Sequence, residues 1–374
     1  MADFTVKVYD KILNFMAFVG DPISLQATPR WNQTSTAVMQ VELDHRAVPH
    51  LLDDGARMVI FLRDQFLMSG KIHRREADGP SIDSVLTVYL KDDFRMLHQI
   101  LGYPVPGSAI TSQSASEYAT YTGNAEAITK AVITANMVSR LGMNVTVAPN
   151  QNRGATVPDG VKFRFHPLYE QLFPAIEQAG IGVTFQQQGS TIVCDVAAPA
   201  PFARTLEESS GVIASWSWED SDPTATHVVA GGQGEGTARV FRDVRDTALE
   251  AAHRDVLEVF RDARDAEADP AILVSRASEE LSDRSARSGF AVHLSETKHF
   301  QYGKDGLVVG AMVTVSIGAV TRTDVLREVT ITYSRDEGLE TTPVVGDITD
   351  SPDRTIANFL AQLKKGITDL KVSK

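Results

Sequence analysis

Over the first hundred positions, short runs of apolar and polar residues alternate strictly, and this leaves little choice about what that part of the chain can become. Phe4-Thr5-Val6-Lys7-Val8-Tyr9-Asp10 and Ala37-Val38-Met39-Gln40-Val41-Glu42-Leu43 both repeat with period two. Successive side chains of a strand point to opposite faces, so such runs make half-buried strands. Met58-Val59-Ile60-Phe61-Leu62 is apolar throughout and short enough for a strand buried on both faces. Residues 66–72 and 84–90 continue the series, with turn residues Asp78-Gly79-Pro80 between them. A helix would repeat every three to four residues, and this segment does not. Strands and turns at this spacing predict a barrel-like β domain over residues 1–105.

The period changes after that. Ile128, Val132, Ile133, Met137 and Leu141 form a helical stripe. Asn124 can cap its start, and Gly142 can end it in a left-handed conformation. A second helix is predicted over 167–179, with Leu168, Leu172, Phe173 and Ile176 inward. Pro174 within it marks either the true first turn or a kink. A hairpin follows, 182–187 and 191–196, turning at Gly189-Ser190. Helix, helix and hairpin make an inserted α/β module over 106–205, which the Pro-rich stretch 197–201 closes as a stiff linker.

Alternation returns at 212–218, 226–230, 307–320 and 325–333, predicting a second barrel-like β domain over 206–350. The charge-dense stretch 242–287 interrupts it as a helical insertion, with Leu273, Ala277 and Leu281 on one helix face. Residues 351–374 read as a C-terminal amphipathic helix with Ile356, Phe359, Leu360 and Leu363 inward. The predicted fold class is therefore α+β and mostly β: two barrel-like β domains joined by a small α/β module, with a C-terminal helix.

Composition narrows the function. With 43% apolar and 22% charged residues the chain has the makings of folded domains, and its 374 residues suit two to four modules. No segment reaches the roughly 18 consecutive apolar residues of a membrane span. The first residues lack a basic region followed by an apolar one, which predicts folding in a cytoplasm. A formal net charge of −12 offers no electrostatic grip on phosphates. The single cysteine, Cys194, excludes an intramolecular disulfide and a Cys-based zinc site, and its alternating surroundings predict a buried thiol.

Each motif with a chemical look has a plainer reading. Gly231-Gly232-Gln233-Gly234-Glu235-Gly236 follows a strand, but a dinucleotide cradle needs G-x-G-x-x-G opening a helix. Here the spacing is G-x-G-x-G, and Thr237 to Phe241 reads as another strand. A tight loop needing unusual backbone angles fits better. Ser295-Glu296-Thr297-Lys298 matches S-x-x-K without the companion S-D-N and K-T-G elements. The nine histidines are scattered; His293 and His299 lack helical ligand spacing, and His166 beside Pro167 reads as a residue at a helix start. Trp216-Ser217-Trp218-Glu219-Asp220 carries the aromatics and acids of a glycosidase cleft. Yet both tryptophans fall on one strand face, as core or interface residues do, with Glu219 on the other. No catalytic, cofactor-binding or metal-binding residue is predicted, and the chain is read as a non-enzyme.

The order of features carries a resemblance. Trp31-Asn32-Gln33-Thr34-Ser35 precedes an alternating strand, then the turn Val48-Pro49-His50-Leu51-Leu52-Asp53-Asp54-Gly55-Ala56-Arg57, then an outgoing Gly70-Lys71-Ile72. Later come the Gly-rich loop with Arg239, the strand Gly310-Ala311-Met312-Val313-Thr314-Val315 after Gly303, and Pro343-Val344-Val345-Gly346-Asp347. This resembles the minor tail proteins of actinobacterial siphophages, and through them the hub class of phage tails. The resemblance implies two barrel-like domains per chain and a homotrimeric ring joining a six-fold tail to three-fold tip parts. It implies a channel for tape-measure protein and DNA in transit, with a distal tail ring protein and tip or fibre proteins as partners. It places the chain at the virion tail tip, after assembly in the host cytoplasm. The long C-terminal extension that carries fibre-binding or lytic domains in many relatives is absent, so lytic activity is expected on another polypeptide. The alternatives are a cell-wall hydrolase of the tail tip and the hub of a related contractile injection system.

Overall fold

A computed structural model of the chain describes residues 4–77, 84–264, 270–285 and 287–347. The predicted C-terminal helix and the Asp78-Gly79-Pro80 turn lie outside the described residues. The chain divides into two compact units, Met1–Trp216 with Val292–Gly346, and Ser217–Ala291.

The first unit is organised by strands β1 (Phe4–Tyr9), β2 (Phe15–Val19), β3 (Ser24–Thr28), β4 (Thr36–Glu42), β5 (Arg57–Leu62), β6 (Gln65–Ala77) and β7 (Val85–Asp92). Their burial follows the alternation. Phe4, Val6 and Val8 of β1, Ala37, Met39 and Val41 of β4, and Leu86, Val88 and Leu90 of β7 are buried between partly exposed neighbours. In β5, Met58, Val59 and Ile60 are all buried, as the unbroken apolar run predicts.

The predicted barrels are not there: among the described residues no sheet closes on itself. The strands form one open 13-stranded sheet that starts with Ile213–Ser221 and Arg287–Leu294, continues through Gly338–Asp347, Val320–Ser334, β3, β4, β7, β6, β5 and β1, and ends at β2. Pro201–Glu207 and Met312–Ile317 branch from it beside Val320–Ser334. The reason lies in β3. Closing the first seven strands would need β3 to pair with β2, but one edge of β3 is taken by β4 and the other by Val320–Ser334, with Ala27 opposite Ile331. Alternation dictates which face of a strand is buried, and an open sheet satisfies it as well as a barrel does; closure demands in addition that the end strands meet. The two expected β domains are therefore joined into one sheet.

The helices and hairpin after β7 have a core of their own. The first helix, Ala125–Ile133, is capped by Asn124, whose Oδ1 accepts from Ala127 N at 2.8 Å, and Gly142 beyond it has φ +61°. Between them the stripe passes through a π-helical stretch, Thr134–Ser139, which the spacing does not reveal. That stretch buries Asn136, which donates to Val132 O and accepts from Tyr103 N. The second helix, Leu168–Gln178, runs through Pro174, which lies on its exposed face. Both helices pack over Gly182–Gln188 and Thr191–Ala197, with Phe163, Leu172, Ile176, Phe185 and Cys194 between them. The strand Thr156–Phe163, paired with Ala119–Asn124, has no counterpart in the sequence reading.

Trp31 and Asn32 fasten this module to the sheet. The Trp31 ring is 9% exposed and lies against Gly182 and Gly310, where a Cβ on either glycine would overlap it. Asn32, at φ +53°, donates to Ile181 O at 2.8 Å and accepts from Val183 N at 3.0 Å. Its side chain thus satisfies backbone groups at the start of the hairpin.

The second unit centres on His227–Gly231, flanked by antiparallel Phe241–Arg245 and parallel Glu258–Asp262. The helix Pro270–Asp283 covers one face, with Leu273 and Ala277 against Ala225, Val228 and Ala230. The charged stretch read as a helical insertion is thus sheet as well as helix.

Candidate functional site

The Gly-rich loop is filled by its own chain. Arg239 donates to Gly231 O and Gly232 O, both at 3.0 Å, and pairs with Asp262 at 2.7 Å. Carbonyl oxygens therefore converge on a guanidinium, whereas a phosphate cradle needs converging N–H groups. Gly234 has φ +108°, and a Cβ there would stand 2.5 Å from Ala238 O. Gly236 leads into the short 3₁₀ turn Gly236–Ala238, and the strand begins only at Phe241. The Arg239 guanidinium also lies within 5.6 Å of the Phe241 ring centre and 5.3 Å of that of Phe260.

Ser295 and Lys298 are exposed, and the residue of that motif with a structural task is Glu296. It pairs with Arg63 at 3.1 Å and accepts from Tyr302 N at 2.6 Å. His293 and His299 are exposed, and His166 is buried immediately before the second helix. Among the described residues no group of three or more His, Cys, Asp or Glu could hold a metal ion. Cys194 is buried, and desolvation pushes its thiol up to about 12, so it stays protonated and unreactive at neutral pH.

Sequence reasoning missed a buried charged cluster. Arg57 pairs with Asp93 at 2.5 Å and donates to Gln187 Oε1 at 2.9 Å, while Gln187 N donates to Ser69 Oγ. Beside Asp93, desolvation raises the Asp92 carboxyl to about 7. This polar seam links β5 and β6, the turn after β7, and the hairpin strand Gly182–Gln188. Nothing in the spacing of these residues brings them together before the fold does.

The tryptophans of 216–220 are not core. Trp216 is 40% and Trp218 47% exposed. Trp216 Nε1 donates to Glu208 Oε1 at 3.2 Å, beside the exposed Glu207. Trp216 stands on Ile213–Ser221, the strand that begins the sheet order. At the other end, β2 has β1 as its one neighbour among the described residues and exposes Phe15 at 47% and Phe18 at 44%. Tyr9, Phe15 and Phe18 run in ring contact, with centroid separations of 5.9 and 4.5 Å. The Lys7 ammonium lies 5.9 Å from the Phe18 centroid and 4.7 Å from that of Phe61. The signal for this strip was the charge-free run Phe15-Met16-Ala17-Phe18-Val19, whose partner the alternation does not name.

Comparison with known proteins places this geometry. The family model described as Siphovirus ReqiPepy6 Gp37-like protein matches residues 5–347. No curated protein sequence matches the chain. Among solved structures, the 43 kDa tail protein of prophage MuSo2 from Shewanella oneidensis matches with a TM-score of 0.56 at 10% identity, over 91% of this chain and 98% of that one. Prophage tail protein gp18 from Listeria monocytogenes EGD-e matches at 0.52 and 10%, over 97% and 99%. The tail protein from Neisseria meningitidis MC58 matches at 0.51 and 13%, over 92% and 97%. At these identities the likeness is one of fold.

Proposed function

The chain belongs to the siphovirus ReqiPepy6 Gp37-like protein family, and from that premise we propose that it is a structural component of the hub of a phage tail tip. Three copies form a ring that joins the six-fold tail to three-fold tip parts. The ring leaves a channel for tape-measure protein and, later, DNA. Its partners are further copies of itself, a distal tail ring protein, the tape-measure protein, and tip or fibre proteins. The observation that carries this reading is coverage: the family match runs over residues 5–347, and the shared fold takes in nearly the whole of the three tail proteins. What is shared is the entire architecture and not a detachable module. Among the described residues no helix is long and apolar enough to cross a membrane.

Copy number tests the proposal. Reconstruction of assembled tails is expected to show three chains at the tip, in a ring around an open axis. One chain or six per tail would overturn it, as would peptidoglycan cleavage by the purified chain, which would return the protein to the cell-wall hydrolases.

A further inference from the structure

The sheet of the second unit has a helix on one face only. Val228, Ala230, Val244 and Val259 lie in the core it makes with the helix Pro270–Asp283, and successive side chains of a strand point to opposite faces. The outer face therefore carries Val229, with Phe260 beside it on one neighbouring strand and Phe241 beside Gly231 on the other. The two phenyl rings stand 6.5 Å apart between centroids. The Arg239 guanidinium rests on both, yet Phe241 remains 46% and Phe260 53% exposed. Large apolar groups left together in solvent mark a contact surface.

Charge around the rings narrows what can cover them. Asp243 and Glu258 stand on the same face and share one imidazole, His227, at 3.0 and 2.9 Å, and Asp262 pairs with Arg239. Residues 217–291 as a whole carry 16 acidic and 9 basic residues. The same face of a second copy would bring like charges together, so the occupant that fits is basic and apolar.

The chain itself supplies one. Its described residues end at Asp347, on the strand next to Arg287–Leu294, by which the chain leaves the second unit. Residues 348–374 follow. In a protein of net charge −12 they are a basic stretch, with Arg354, Lys364, Lys365, Lys371 and Lys374 against Asp350, Asp353 and Asp369. Ile356, Phe359, Leu360 and Leu363 recur at helical spacing, which makes a stripe that needs a surface to bury it. As a helix, Thr355 to Leu370 would be about 24 Å long. The five-residue strands Phe241–Arg245 and Glu258–Asp262 extend about 17 Å, so such a helix is long enough to cover them.

We propose that residues 351–374 form a helix that straps the outer face of the second unit's sheet in the same chain. Ile356, Phe359, Leu360 and Leu363 lie on the Phe241 and Phe260 rings, and the lysines reach toward Asp243, Glu258 and Asp262. The strap keeps an apolar face covered while the chain is free. The contact is made within one chain and is independent of the ring.

The test uses the full chain, in which Cys194 is buried and unreactive. Ala357→Cys, beside the apolar stripe, is combined with Phe241→Cys, which leaves Phe260 in place. The doubly substituted chain is treated at low concentration with a short bismaleimide and digested for mass spectrometry. A link within one chain is expected. Ala357→Cys combined with Ile110→Cys, an exposed position of the first unit, is expected to link about tenfold less. No link to position 241, or equal yields from the two pairs, would overturn the proposal. A link between chains when the two singly substituted variants are mixed would hand the face to a second copy and overturn it as well. Charge reversal supplies the second arm. Lys364→Glu with Lys365→Glu is expected to lower the yield at position 241 several-fold, with hydrogen exchange in the first unit unchanged. An undiminished yield would overturn the pairing of those lysines with the acidic face.

Discussion

Asp92 ends β7 where the strand turns into Asp93–Arg95, and its surroundings set a pH dependence that one substitution can isolate. Its Oδ1 is buried with no partner among the described residues, and desolvation raises the carboxyl to about 7 against the hydrogen bonds from Ser35. In the unfolded chain the same group titrates near 4. Between about pH 4 and pH 7 the folded protein therefore holds a proton that the unfolded chain has released. Stability linked to Asp92 is highest at the acid side of that window and falls as pH rises through it. Asp92→Asn removes the titration and keeps the shape. The melting temperature of the parent chain, relative to Asp92→Asn, is expected to fall from pH 5 to pH 8. Parallel pH profiles for the two proteins would refute the assignment. No sequence pattern announces this residue, because its burial comes from segments distant in the chain.

Elements of the second unit show what periodicity can and cannot read. Leu273 and Ala277 mark the Pro270–Asp283 helix correctly, because one buried face at helical spacing suffices to define it. The strands Phe241–Arg245 and Glu258–Asp262 are obscured, since their outward faces carry Asp243, Glu258 and Asp262 and one inward valine each, Val244 or Val259, joins the core. The Gly-rich loop between the strands His227–Gly231 and Phe241–Arg245 was legible as backbone geometry. Its filling was not, because Arg239 reaches back over it from outside the motif. Gly234→Val forces a β-branched side chain into φ +108° and onto Ala238 O, so that variant is expected to misfold or fail to assemble. Added nucleotide is expected to leave the melting temperature of the parent chain unchanged. A saturable shift on nucleotide addition would show that the loop binds phosphate after all.

At the scale of the whole molecule, the β-rich class and the helical module could be read from period alone, and the connectivity of the sheet could not. Strand partners are chosen by contacts far apart in sequence, such as Ala27 with Ile331, and alternation is silent about them. Charge, by contrast, is legible without any fold. Asp and Glu number 48 against 36 Lys and Arg, a net −12. A ring that passes DNA faces a constraint from this polymer: each Lys or Arg that neutralises a phosphate releases counterions and tightens binding, so a basic wall would stall transit. Several of the arginines are also committed internally. Arg57 is tied to Asp93, Arg63 to Glu296, Arg239 to Asp262 and Arg335 to Glu42, which lowers the positive charge left to meet a phosphate. The proposed ring is therefore expected to carry an acidic or balanced lumen and to show no duplex binding in the micromolar range even at low salt. Mapping charge on the reconstructed tip and titrating labelled duplex at several salt concentrations would check both. Submicromolar binding that weakens steeply with salt would mean that the wall grips the genome, and would make DNA a bound partner instead of a passing one.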